Sequence, residues 1–131
     1  MKNLLKELTF KDGLIPAVIA DAEGGEVLTL CYMDEDALRE TLRTGLVHVF
    51  RRSKGRIMKK GETSGHTQCV EEVRVDCLGR SLLLRVRQHV AACHQGYRTC
   101  YHRRYDPRTE TVKVVGEKVF NPKKVYGEDP T

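Results

Sequence analysis

The chain has 131 residues, of which 40% are hydrophobic and 31% are charged, and this composition excludes general disorder and predicts one folded core. Its net charge of +5 is compatible with an anionic partner but too moderate for a polybasic tail, and 6% aromatic residues without any Trp disfavour a nucleic-acid partner. No apolar run approaches the ~20 residues of a membrane helix, and the start MKNLLKELTF lacks the pattern of a secretory signal, so we expect a cytoplasmic protein.

The first half of the chain predicts a β-hairpin followed by a helix. Residues 14–33, LIPAVIADAEGGEVLTLCYM, form two apolar runs separated by a Gly-Gly pair, which is a strong hairpin signal. In the next segment, DEDALRETLRTG, Asp34 can cap a helix and Gly45 can end it in the left-handed conformation. This helix is amphipathic, because one face carries Ala37, Leu38, Thr41 and Leu42.

The second half reads mainly as extended chain. Alternating or apolar stretches predict strands in LVHVF, RRSKGRIMKKGE, EEVRVDC and LLLRVRQHV. ETVKVV and KVF are expected to pair as one more short strand pair, and the tail NPKKVYGEDPT is expected to be extended and poorly packed. The predicted fold is a single domain over residues 1–131 of class α+β, dominated by mostly antiparallel strands with one clear short helix.

The five cysteines indicate metal binding, catalysis or burial rather than a disulfide framework, because their number is odd. Cys31 lies in the apolar run VLTLCYM and is expected in the core. Cys77, Cys93 and Cys100 are separated by 15 and 6 residues, which differs from the paired short spacings of zinc fingers. Three thiolates suggest an open zinc site with water in the last position, as in catalytic zinc centres. From the spacing alone, three buried thiols are an equal alternative.

The histidines near these cysteines leave the type of zinc site open. His94 follows Cys93 directly and is either a base or a polar contact. A closed zinc site, completed by His66, His94 or His102 of either chain, is also compatible with the sequence.

A stretch of nine residues without an aliphatic side chain, KGETSGHTQ, occupies positions 60–68. It is either an ordinary surface loop or a binding site for a polar ligand. The preceding basic run cannot form one basic face, because alternate residues of a strand point to opposite sides. At most two or three of its side chains turn towards a ligand. The run comprises Arg51, Arg52, Lys54, Arg56, Lys59 and Lys60.

Three blocks of the sequence strongly resemble the phosphoribosyl-AMP cyclohydrolase family of histidine biosynthesis. These blocks are KGETSGHTQ, VDC and AACHQGYRTCY, and they occur in the family's order and spacing. The N-terminal hairpin and helix look like the family's opening segment as well. The resemblance covers about residues 13–104, which leaves 105–131 as a C-terminal extension.

The resemblance implies a fold, an activity and cofactors. Family members are intertwined β-rich homodimers that need zinc and magnesium, and they hydrolyse the N1–C6 bond of an adenine carrying a ribosyl phosphate on N1. The matching zinc ligands are Cys77 from one subunit with Cys93 and Cys100 from its partner, and His94 becomes the leading candidate for proton transfer. A phosphorylated nucleotide is thus the expected substrate, bound by Arg52, Lys54, Lys60, Glu62, Thr63, Ser64 and His66.

The chain departs from the family pattern at the magnesium motif. Where the family has Asp-Cys-Asp-x-Asp, this chain has Asp76-Cys77-Leu78-Gly79-Arg80, so Asp76 is the one possible remaining magnesium ligand. The Arg80 guanidinium is expected to replace the ion and to grip a phosphate directly.

A second departure changes the expected pocket wall. The family's Ser-Arg-Ser run followed by Leu-Trp is replaced by Arg51-Arg52-Ser53 and then Ile57-Met58. Two alternatives therefore stay open: a divergent zinc-dependent hydrolase of the same family acting on another nucleotide or heterocycle, and a noncatalytic zinc-bridged binding protein.

Overall fold

A computed structural model describes residues 1–127, which form eight strands and three short helices. In chain order the elements are α1 (Lys2–Leu5), β1 (Ile15–Asp21), β2 (Val27–Met33), α2 (Glu35–Thr44), β3 (His48–Arg51), β4 (Arg56–Lys59), β5 (Gln68–Val75), β6 (Leu82–Gln88), β7 (Arg103–Asp106), β8 (Thr111–Val114) and α3 (Pro122–Tyr126). The β-dominated α+β class is confirmed, although α1 and α3 are helices beyond the single one predicted.

The central sheet has the strand order β2-β1-β6-β5. β1 pairs antiparallel with β2 and parallel with β6, so Ala17 lies opposite both Cys31 and Leu82. β5 completes the sheet antiparallel to β6. The predicted N-terminal hairpin and the strands in EEVRVDC and LLLRVRQHV are therefore confirmed. The core consists of Ile15, Ala17, Ile19, Leu28, Met33, Ala37, Leu38, Val47, Val49, Leu82, Leu84, Val86 and Ala92.

Helix α2 covers one face of this core and has the predicted caps. The Asp34 carboxylate accepts a hydrogen bond from the Ala37 N–H at 2.7 Å, and Gly45 ends the helix with φ of +76°. Of the four residues on its predicted apolar face, Ala37, Leu38 and Thr41 are buried and Leu42 is 39% exposed. No helix within residues 1–127 is long and apolar enough to cross a membrane.

Two small hairpins complete the fold. β3 and β4 lie in the region after Leu46 that was expected to be extended, and they pair antiparallel with each other. β7 and β8 pair with Tyr105 opposite Val112, so the partner of ETVKVV is YHRRYDP and not KVF as predicted. The short connection from Pro107 to Glu110 lets β7 and β8 meet locally, whereas Lys118 of KVF makes an isolated bridge with Tyr97.

The C-terminal segment contains a helix where extended chain was predicted. The Asn121 side chain accepts a hydrogen bond from the Lys123 N–H at 3.0 Å, and Pro122 follows in the first turn, where its missing N–H costs nothing. This segment packs onto the body of the protein through the Phe120 ring, whose centroid lies 4.6 Å from that of His66. The last part of the predicted tail, residues 128–131, lies outside the described residues.

Candidate functional site

The polar stretch 60–68 is a tight loop that folds back on itself. The Gly65 N–H donates to the Gly61 carbonyl at 2.8 Å, and the Lys60 N–H donates to the carbonyl of buried Val47 at 2.8 Å. Gly61 has φ of +86°, and a Cβ at this position would lie 2.6 Å from the His66 carbonyl carbon. The loop therefore requires glycine at its first bend.

This loop forms one wall of a cavity of about 240 Å³. The other walls come from β3, β4, the segment 91–94 and α3, so parts of the chain that are distant in sequence meet here. The structure thus brings together most of the side chains for which the sequence predicts catalysis or substrate binding. They are Lys54, Lys60, Glu62, Thr63, Ser64, His66 and His94.

The Lys60 ammonium connects the loop to the segment that carries His94. Its Nζ donates to the Ala92 carbonyl at 2.7 Å, and Ala92 is 3% exposed. The ammonium therefore satisfies a buried acceptor one residue before Cys93. Sequence reasoning assigned Lys60 to the phosphate or ribose of a ligand, and this contact with the backbone was not foreseen.

Burial and positive neighbours favour the neutral form of both cavity histidines. Burial is the main cause that lowers the pKa of His94, and the charges of Lys60 and Arg51 lower it further. Burial also lowers the pKa of His66, with smaller contributions from His89 and Lys60. A neutral imidazole at pH 7 can accept a proton on one ring nitrogen and donate one from the other.

Two other residues of the loop make contacts at the cavity rim. Glu62 pairs with Arg56 at 3.1 Å, and both side chains are largely exposed. The Ser64 Oγ accepts a hydrogen bond from the His66 N–H at 3.1 Å, which helps to fix the bend. Glu62 is thus held towards the β3–β4 hairpin by a rim ion pair.

Cys93 and Cys100 form a thiol pair beside the cavity. The two side chains are close neighbours, with Cys93 buried and Cys100 exposed. Burial is the main cause that raises the pKa of the Cys93 thiol, and the neighbouring Cys100 adds to this effect. Cys31 packs against the core as predicted, and burial raises the pKa of its thiol to about 12.

A single chain holds two of the three predicted zinc ligands together and the third apart. Cys77 lies in the exposed turn between β5 and β6. In the described part of the chain, no three side chains of His, Cys, Asp or Glu come together as a metal site. The Cys93–Cys100 pair is a soft donor set that fits zinc, and a complete site needs further donors.

His102, also considered as a zinc ligand, packs in the interior. Its ring stacks on Tyr97 with a centroid distance of 3.7 Å, and its Nδ1 lies 3.1 Å from the Thr99 carbonyl oxygen. The residue is 6% exposed. These contacts give His102 a structural role beside the Cys93–Cys100 segment.

The turn 76–81 does not fit magnesium. One Asp76 carboxylate oxygen accepts from the Arg80 N–H at 2.7 Å, and the other accepts from the Ser81 hydroxyl at 2.9 Å. These hydrogen bonds, led by that from Arg80, lower the pKa of Asp76. The apolar Leu78 side chain is 63% exposed in the same turn. Because magnesium prefers an octahedral shell of oxygens, a carboxylate already engaged within its own turn is a poor site.

Arg52 and Arg80 do not line the first cavity but meet at a second, wider depression of about 910 Å³. The Arg52 guanidinium carbon lies 4.3 Å from the centroid of the Tyr32 ring, in a cation–π contact. Arg51 and Lys54 face the first cavity, so the β3–β4 turn directs neighbouring basic residues to opposite sides.

Tyr126 is a cavity residue that sequence reasoning missed. It lies in α3 and reaches the same cavity as His94 and the polar loop. The pair Asn121-Pro122 was a usable signal for this helix, because Asn caps helices and Pro is favoured in the first turn. Nothing in the sequence indicated that the helix would return to the cavity.

Comparisons with known proteins point to one family. A family model described as phosphoribosyl-AMP cyclohydrolase matches residues 29–102, a range that contains the polar loop, the turn 76–81 and the thiol pair. The chain is similar to proteins named phosphoribosyl-AMP cyclohydrolase from several organisms. The relative from Methanocella arvoryzae is 49% identical over 92% of this chain and 97% of its own length. Those from Haloarcula marismortui and Salinibacter ruber are 53% and 51% identical, over 86% and 88% of this chain and 89% of each relative.

Proposed function

The chain belongs to the phosphoribosyl-AMP cyclohydrolase family and is a cyclohydrolase, and from this premise we propose that it opens the adenine ring of phosphoribosyl-AMP in histidine biosynthesis. The reaction is hydrolysis of the N1–C6 bond, which gives the phosphoribosyl-formimino aminoimidazole carboxamide nucleotide. The observation that carries the proposal is the meeting of His94 with the polar loop around one cavity.

The chemistry of the substrate fits this set of side chains. Alkylation at N1 makes the purine ring cationic and its C6 atom electrophilic. The oxygen of a water molecule adds to C6, the N1–C6 bond breaks, C6 becomes an amide carbonyl carbon, and N1 takes up a proton. His94 in its neutral form accepts a proton from the water and returns one to N1, which is general base and acid catalysis by one imidazole.

The remaining cavity residues bind and orient the nucleotide. The hydroxyls of Thr63 and Ser64 suit the ribose, and the cations Arg51 and Lys54 suit a phosphate. Lys60 holds the segment 91–94 in place through Ala92, so its effect on the substrate is mainly indirect.

Zinc is part of this proposal, with Cys93 and Cys100 of one subunit and Cys77 of the partner subunit as its ligands. When bound, zinc supplies Lewis-acid chemistry that makes water a stronger nucleophile near neutral pH. The thiol pair beside the cavity supports this assignment, and the separation of Cys77 from it within one chain supports a site shared between two copies. The homodimer of the proposal follows from that sharing.

Turnover of phosphoribosyl-AMP by the purified, zinc-loaded protein tests the activity. We expect product formation with the wild type and a loss of about 10²- to 10⁴-fold in kcat for His94→Gln, the range typical of general acid–base catalysis. His89→Gln is the matched control, because His89 lies beside His66 but outside the residues that line the cavity. No turnover by a zinc-loaded, folded wild type would reject the proposal and favour a family hydrolase for another nucleotide or heterocycle.

A complementation experiment tests the shared zinc site. Cys77→Ser and Cys93→Ser homodimers are both expected to be inactive and to lack the full zinc content. Co-expression of the two variants is expected to restore one complete site per heterodimer, because one subunit still offers Cys77 and the other still offers Cys93 and Cys100. Zinc content and activity should then reach about half of the wild-type values per heterodimer. Inactive heterodimers would contradict ligands from two subunits.

A further inference from the structure

The second depression is strongly basic. Lys11, Arg52 and Arg80 line it together with one acid, Asp12, while the other walls are polar or apolar. Within residues 1–127, neither arginine takes part in an ion pair with a carboxylate. Elsewhere on the surface, Arg74 and Arg87 are paired with acids of the same sheet. Two guanidinium groups therefore converge on a depression that is suited to an anion.

Local contacts fix the Arg52 guanidinium and the backbone of Arg80. The face of the Arg52 guanidinium stacks on the Tyr32 ring. The N–H groups of the guanidinium point outward in its plane, so they can still contact a ligand at the edge. The Arg80 backbone is held by its N–H bond to Asp76. The N-terminal segment then covers the turn, since the Thr9 N–H donates to the Gly79 carbonyl at 2.7 Å. The Arg80 side chain therefore extends from a fixed turn into the depression that Arg52 also lines.

The same turn is a poor site for a divalent cation and carries the Arg80 cation instead. Both Asp76 oxygens accept hydrogen bonds from within the turn, and Leu78 has no donor atom in its side chain. Three of the four charged residues lining the depression are cations. A divalent metal would be repelled there, whereas a phosphate monoester carries about −1.5 to −2 charges near pH 7 and suits forked guanidinium donors.

We propose that Arg52 and Arg80 form a metal-free binding site for a phosphate monoester of the nucleotide substrate, with the Arg80 guanidinium in place of a magnesium ion. This inference rests on the proposed function for the identity of the substrate and for the shared site, in which the turn 76–81 of one copy meets the His94 cavity of the other copy. Phosphoribosyl-AMP carries two phosphates, so Arg51 and Lys54 suit one of them and Arg52 with Arg80 suits the other. The binding of a phosphate monoester can be measured without turnover. Lys11 adds positive charge at the edge of the site.

Binding of AMP and adenosine in magnesium-free buffer, measured by isothermal titration calorimetry, tests the site directly. We expect the wild type to bind AMP at least about tenfold more tightly than adenosine, because charged hydrogen bonds to a phosphate contribute on this scale. Arg52→Ala and Arg80→Ala should each lose most of that difference. Arg108→Ala removes the same charge from the distant β7–β8 connection and should keep it.

Steady-state kinetics supply the second readout. Arg80→Ala should raise KM by about tenfold or more and change kcat by less than about threefold, and Arg80→Lys should recover part of the loss, since it keeps the charge but not the fork. Added magnesium should leave wild-type AMP binding and kcat/KM unchanged.

The outcomes separate this inference from the proposed function. Turnover by the wild type with an unchanged KM in Arg80→Ala, or AMP binding that requires magnesium, would overturn the phosphate site and leave the cyclohydrolase activity intact. AMP binding that depends on Arg80, without any turnover of phosphoribosyl-AMP, would support the site and reject the proposed reaction. Equal binding of AMP and adenosine by the wild type would also overturn the site.

Discussion

At the scale of single residues, Lys60 shows how one charge can serve several neighbours. Its ammonium donates a hydrogen bond to a buried carbonyl, and its positive charge acts to lower the pKa of His66, His94 and Cys31. Such a residue fixes the position of the segment that carries His94 without contacting the reacting atoms. Its loss should therefore affect stability and the chemical step more than substrate affinity.

Replacing Lys60 tests this positioning role. Lys60→Met leaves the Ala92 carbonyl without its donor and should lower the free energy of unfolding by about 1–3 kcal/mol, the usual cost of an unsatisfied buried polar group. Lys60→Arg should lose less. Urea denaturation measures the effect, and exposed Lys113→Met is the control. A raised KM with unchanged stability and kcat would instead favour direct phosphate binding by Lys60.

His66 gives a prediction about pH. Its folded-state pKa is lowered mainly by burial, so between that pKa and the unfolded value near 6.5 the unfolded chain binds more protons. The contribution of His66 to stability is therefore fully present above about pH 6.5 and is lost as the pH falls through the folded pKa. Urea denaturation at several values between pH 5 and pH 7.5 should show a shallower acid loss for His66→Asn than for the wild type. Parallel curves would show that His66 is not the responsible group.

At the scale of elements, the turn 76–81 depends on its contact with the N-terminal segment. Gly79 has φ of +68°, and a Cβ there would lie 1.9 Å from the Glu7 carbonyl oxygen. The turn therefore excludes every residue but glycine at this position, and the placement of Asp76 and Arg80 follows from it. This connects the N-terminal segment with the basic depression.

Gly79→Ala should destabilise the protein by roughly 2–4 kcal/mol, because it combines backbone strain with overlap that only a shift of the N-terminal segment can relieve. Gly55→Ala is the matched control, since Gly55 has φ of +63° and its Cβ would meet nothing within 4 Å. That variant should lose only about 1–2 kcal/mol. Thermal or urea unfolding of the two variants measures the difference, and equal losses would show that the N-terminal contact contributes nothing.

The sequence predicted those elements whose determining residues are local. Helix α2 has its cap, its apolar face and its final glycine within twelve consecutive residues, and both strands of the Gly-Gly hairpin lie within residues 15–33. The strand that pairs with β8 and the position of α3 at the cavity could not be predicted from local sequence, since both depend on tertiary contacts. The loop 60–68 was recognisable as a candidate site from its composition, whereas the use of Lys60 by Ala92 depends on residues 32 positions apart.

At the scale of the whole molecule, the separation of Cys77 from the Cys93–Cys100 pair has a consequence for stability. If two copies share each zinc, the metal stabilises the folded dimer and should be linked to it by mass action. Removal of zinc with a strong chelator should lower Tm, make Tm more dependent on protein concentration and raise the monomer fraction. Native mass spectrometry and melting curves at two concentrations measure these effects. A monomer that retains zinc tightly would contradict the shared site.

The parallel pairing of β1 with β6 also constrains how the protein is made. β1 lies in the middle of the sheet, yet Ala17 meets Leu82 only after most of the chain has been synthesised. On the ribosome the apolar face of the β1–β2 hairpin therefore stays exposed until β6 has been synthesised. Pairing β1 with β6 also closes a long loop between them, which slows folding. Nascent chains arrested before residue 82 should remain sensitive to protease, whereas chains that expose β6 beyond the exit tunnel should become resistant.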